Sequence, residues 1–133
     1  MANEKGEAIL GFNKNTMKLI NILISINKTN IIIDQLKRQV SMGISANPLM
    51  LIEMIGPYFF EYKEKIIENV VQFLEYEDFS EHYGKSGDRR SIEAVMSTIR
   101  ASWDTRSEIE KKIISEIIKD LVKTYLSYLI ACK

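Results

Sequence analysis

The sequence predicts an all-α protein, a single-domain bundle of four to five helices, and three observations carry that expectation. Apolar residues recur at threes and fours over most of the chain, the mark of helices with one face turned to a core. Only 6 glycines and 2 prolines occur, so they read as punctuation between long elements. With 133 residues, 46% hydrophobic and 27% charged, the chain has a globular composition and is long enough to bury a core.

Residues 1–12, MANEKGEAILGF, are too polar for a signal peptide and read as a flexible N-terminal tail, which leaves 13–133 as the single helical domain. The first helix is expected over 14–42, where Leu19, Ile22, Leu23, Ile26, Ile33, Leu36 and Val40 recur at helical spacing. Lys37 and Arg38 then suit the negative end of the helix dipole, and Gly43 suits a left-handed cap. A β-hairpin over residues 22–33 is the rival reading, because β-branched runs flank the polar turn Asn27-Lys28-Thr29-Asn30.

Asn47-Pro48 marks a helix start, asparagine capping free amides and proline being preset for the first turn. The Gly56-Pro57 pair predicts a break, because a proline inside a helix lacks an amide and clashes with the preceding turn. That divides the region into a short helix over 47–55 and a longer one over 58–79, with Phe59, Tyr62, Ile66, Val70 and Phe73 on one face. Gly84 and Gly87 mark a loop. A helix over 91–103 follows, with Ile92, Val95, Ile99 and Trp103 inward.

Thr105 with Glu108, and Ser107 with Glu110, each have the spacing of a capping box, so a last helix is expected over 106–131. Ile109, Ile113, Ile117, Leu121, Tyr125 and Tyr128 form one stripe on it, with Ile114, Ile118, Val122, Leu126 and Leu129 alongside. So wide an apolar face predicts a helix at the centre of the bundle, or one half-covered by another chain.

Totals and motifs exclude several function classes. The formal net charge is +0, which gives no global attraction to nucleic acid or to an anionic membrane. No apolar run approaches the roughly 18 residues of a spanning helix, so no membrane partner is expected. The single cysteine, Cys132, forbids an intrachain disulfide and points to an intracellular, cytoplasmic setting. Abundant isoleucine, and lysine in excess of arginine, fit an AT-rich genome such as that of a low-GC microbe or a virus.

Gly84-Lys85-Ser86 resembles the end of a phosphate-binding loop, but the glycine required five positions earlier is Phe79. His82 and Asp78 are four apart, yet His82 is the only histidine and no second segment supplies further ligands, so neither a metal nor a cofactor is expected. No serine or cysteine lies in a nucleophile pattern with a base and an orienter.

Two charged surfaces remain. Four of the five arginines fall at Arg89, Arg90, Arg100 and Arg106. With Lys85 and Trp103 they form a candidate grip for phosphate or carboxylate, a guanidinium stacking on the indole. The plainer reading makes Trp103 a core anchor, with Arg100 pairing Asp104 one turn on. Just before them, Glu75, Glu77, Asp78 and Glu81 close a strongly acidic stretch, a candidate patch for contact with a cationic partner. The two signs pair either within the chain or between copies, head to tail.

Together these features predict a non-enzymatic helical protein–protein interaction or self-assembly module, with a homo-oligomer as its simplest form. An accessory nucleic-acid-binding protein using the arginine-rich stretch over 85–106 is the alternative. A small helical enzyme with carboxylate chemistry is the second.

Overall fold

The computed structural model describes residues 4–26, 31–76, 96–101 and 103–133. These are all-α, with no strand among them: α1 (Glu4–Ile26), α2 (Ile31–Ala46), α3 (Met50–Glu61), α4 (Lys63–Tyr76), α5 (described over 96–101), a 3-10 turn (Trp103–Thr105) and α6 (Glu108–Ala131).

Residues 4–12 correct the expectation of a loose tail. They are the opening turns of α1, and Ala8 and Phe12 are buried in the core. The polar letters that suggest a tail lie on the outer face, since Glu4, Lys5, Gly6 and Glu7 are all exposed. The hairpin is also excluded, because helix runs up to Ile26 and resumes at Ile31. The helix expected over 14–42 is therefore two, α1 and α2, and the second continues to Ala46. Gly43 lies inside α2, where its carbonyl accepts the Asn47 amide at 2.8 Å. Arg38 is mid-helix and pairs with Asp34 one turn back, at 3.3 Å on the surface.

The helix expected to start at Asn47-Pro48 begins later, at Met50, with Leu49 as its N-cap and no side-chain cap bond, so Asn47 and Pro48 form the turn that leads into it. The Asn47 side-chain oxygen accepts the Leu49 amide at 3.1 Å, and helix follows from Met50. This turn is also held from α1, where buried Asn13 donates from Nδ2 to the Pro48 carbonyl at 3.0 Å.

The break expected at Gly56-Pro57 does not occur. α3 runs through both residues and stops at Tyr62, and a new helix begins at once. Proline in a helix interior costs about 3 kcal/mol. Full burial of one large apolar side chain returns roughly 1.5–3 kcal/mol, and α3 buries Leu51, Ile52, Tyr58 and Phe59. Packing therefore outweighs the lost hydrogen bond. The helix expected without interruption over 58–79 is in turn broken at Asn69, whose backbone is extended (φ −159°, ψ 90°). The Asn69 side chain accepts the Gln72 amide at 3.1 Å and so caps the second half of α4.

Of the two capping boxes the sequence offers, α6 uses Ser107 with Glu110, so the helix begins at Glu108 and Thr105 stays in the preceding 3-10 turn. The Glu110 amide donates to Ser107 Oγ at 3.1 Å, and the Ser107 amide donates to Glu110 Oε1 at 3.0 Å. α6 lies antiparallel to α1, Gly11 meeting Thr124 near one end and Ile22 and Ile113 flanking one groove near the other. α3 and α4 pack on α6 as well, and the core runs among all of them. Phe59, Tyr62, Ile66, Val70 and Phe73 are all buried, as are Ile99 and Trp103. Edge-to-face rings knit the middle of the core, with Phe12 to Phe59 at 6.4 Å and Tyr58 to Phe59 at 5.4 Å.

At Gly56 the backbone of α3 packs directly on α6. The Tyr125 ring occupies the space that a Cβ on residue 56 would need. Gly56→Ala should raise helix propensity by about 1 kcal/mol and lose about 1–3 kcal/mol to overpacking against that buried ring. A net fall in thermal midpoint by calorimetry is expected. Ser107→Ala removes the cap of α6 and should cost about 1 kcal/mol in a denaturant titration.

Candidate functional site

The arginine surface was the strongest candidate in the sequence, and half of it falls among the described residues. Lys85, Arg89 and Arg90 lie outside them, as do Glu77, Asp78, Glu81 and His82. Glu75 belongs to the last turn of α4. Trp103 is only 2% exposed, its indole taken into the core at the turn between α5 and α6. An indole so placed offers no open face on which an outside ligand and two arginines can stack, which corrects that part of the expectation. The chain's own Lys111 also lies over its ring, 5.8 Å from the centroid.

Arg106 is held locally. It donates to Thr105 Oγ1 at 3.0 Å, and its other terminal nitrogen stands 3.6 Å from Glu110. Lys111 is similarly 3.8 Å from Glu108. The Glu110 carboxyl sits below its ordinary pKa, chiefly because it accepts the Ser107 amide. Burial opposes this, and the Ser107 side chain and the Arg106 charge add to it. This end of α6 is thus a network of short-range pairs around a helix cap. Arg100 is exposed on the last described turns of α5.

A second cluster lies where α3 meets the C-terminal turns of α6. Tyr125 and Tyr128 stack with centroids 6.2 Å apart, and Phe60 meets Tyr125 edge-on at 6.2 Å. The Tyr128 hydroxyl stands 3.5 Å from Glu53. The Lys5 ammonium lies 5.8 Å from the centre of the Tyr128 ring. Burial first, then Cys132 and Glu53, push the Tyr128 phenol up to about 12. A phenol so raised stays protonated at neutral pH and serves as a hydrogen-bond donor, not as a base.

The third arrangement was not anticipated. Between α1 and α6 runs a groove of about 650 Å³ lined by Lys18 and Ile22 on one side and Lys112, Ile113, Glu116, Ile117 and Asp120 on the other, with Asn15 and Asn21 at its edge. The apolar stripe expected along α6 divides here. Ile117, Leu121, Tyr125 and Tyr128 are buried, but Ile113 is 46% exposed and Ile109 is 73% exposed. The signal was present in the sequence, since Lys112, Glu116 and Asp120 recur every fourth residue beside Ile113 and Ile117. It was obscured because apolar spacing alone does not say how far along a helix its neighbours reach.

No group of three or more His, Cys, Asp or Glu side chains able to hold a metal ion occurs among the described residues. No described helix is long and apolar enough to cross a membrane. Compared with known proteins, the chain matches no family model, and no curated protein and no solved structure is significantly similar to it.

The raised Tyr128 pKa fixes a sign for the pH dependence of stability. Its neutral form is favoured in the folded state, so the contribution is complete below about 10 and is lost as pH rises through about 12. Tyr128→Phe should flatten that alkaline loss in denaturant titrations run across this range. The folded parent protein should also show late-ionising tyrosines in its ultraviolet absorbance, Tyr125 and Tyr128 among them, since burial raises both.

Proposed function

We propose that this chain is a helical protein–protein interaction module whose simplest mode of action is self-association, and that it binds without carrying out chemistry. The supporting observation is apolar surface that the bundle itself leaves uncovered. Ile109 and Ile113 are exposed on consecutive turns of α6, and Ile67 (50% exposed) and Val71 (41%) are exposed on either side of the break at Asn69 in α4. Single exposed apolar residues are ordinary on a protein surface. A contiguous exposed apolar patch marks a surface for contact with another protein. An intracellular setting, with a reduced Cys132, suits such a module.

The nucleic-acid reading has less support. Trp103 is buried, Arg106 is engaged by Glu110, and the groove beside α6 carries Glu116 and Asp120, which repel phosphate. Carboxylate chemistry gains no specific observation.

Light scattering over a wide concentration range tests the proposal. The native mass is expected to rise above the 15.4 kDa of one chain as concentration increases. A constant mass of one chain throughout would count against self-association.

A further inference from the structure

We infer that the groove between α1 and α6 seats a second copy of this chain, docked about a two-fold axis with the two α6 helices antiparallel. This rests on the self-association proposed above and assigns it a surface and a geometry.

The groove is apolar at its base and charged at its rim. Ile22, Ile113 and Ile117 supply the apolar part, and Ile109 extends it one turn beyond. The charged lining residues are Lys18 and Lys112 on the positive side and Glu116 and Asp120 on the negative side. An equal number of each sign is poorly matched to a purely anionic or purely cationic ligand. It is matched to a surface of the same composition turned end for end, which is what a two-fold axis delivers.

The order of charges along α6 sets the direction. Lys112 and Glu116 are one helical turn apart with Ile113 between them. When two copies cross antiparallel with the axis near Ile113, Lys112 of each copy faces Glu116 of the other. The isoleucines of both copies then close over one another. A parallel crossing would instead oppose Lys112 to Lys112 and Glu116 to Glu116, an arrangement of like charges that is disfavoured. Within one chain Glu116 is only loosely held, 4.0 Å from Lys119 with its side chain 57% exposed, so it is available for exchange.

The two-fold geometry allows a test within a single polypeptide. Lys112→Glu places like charges together at two symmetric points, and so does Glu116→Lys. The double variant Lys112→Glu/Glu116→Lys restores both pairs. Sedimentation velocity of the full chain over a concentration series measures dimerisation of the parent, the two single variants, the double variant and Ile67→Glu on α4. Circular dichroism confirms that each remains helical. Each single reversal is expected to weaken the dimer by about tenfold or more. The double variant should recover most of that loss, and Ile67→Glu should behave as the parent does.

If the parent dimerises but the single reversals do not weaken it, or the double variant fails to recover, the groove is not the interface and the inference fails while self-association stands. If only Ile67→Glu abolishes the dimer, α4 is the interface, again with self-association intact. A parent that stays monomeric at every concentration overturns both.

Discussion

α6 carries more apolar surface than one neighbouring helix can cover, and much of the bundle follows from meeting that demand. Its stripe and the adjoining row span Ile114, Ile117, Ile118, Leu121, Val122, Tyr125 and Tyr128, all buried. α1 covers one flank, running antiparallel along nearly its whole length, while α3 and α4 cover the others. Removing water from several large side chains on one helix is a stabilisation large enough to dictate the paths of its neighbours. This explains why residues 4–12 are helical despite their polar composition. Ala8 and Phe12 have a hydrophobic surface waiting for them, and extending the helix costs little once its later turns exist.

The same demand overrides local preference at Gly56-Pro57. Without tertiary contacts the pair would end a helix. Here Gly56 lets the Tyr125 ring approach the α3 backbone, and Ile52 before the pair and Tyr58 and Phe59 after it are buried. Asn69 interrupts α4 with its side chain satisfying the freed Gln72 amide. Asn13 acts over a longer range, tying the turn before α3 to α1 through the Pro48 carbonyl.

Coverage of α6 runs out toward its N-terminal end. Beyond Ile117 the neighbouring helices no longer enclose the stripe, so Ile113 and Ile109 emerge beside a rim of balanced charge. Function is therefore best sought at the edge of the core and not at its centre. Trp103, the most conspicuous candidate by residue type, is consumed as a core anchor. Arg106 and Lys111 close to it are engaged by acids in the first turn of α6. Residues prominent in composition are often prominent because they pack.

The sequence by itself determined the helical class, the inward face of α4 and most of that of α6, and the two capping boxes between which α6 begins. These depend on interactions within one or two turns, which spacing and capping residues encode directly. Only the tertiary structure decided that α1 begins at Glu4, that α3 passes through Pro57, that α4 bends at Asn69 and that Ile109 and Ile113 lie outside the core. Each of those outcomes turns on whether a partner helix is present at that point in space. A linear pattern records that a face is apolar, but the length over which another helix covers it is a property of the assembled bundle.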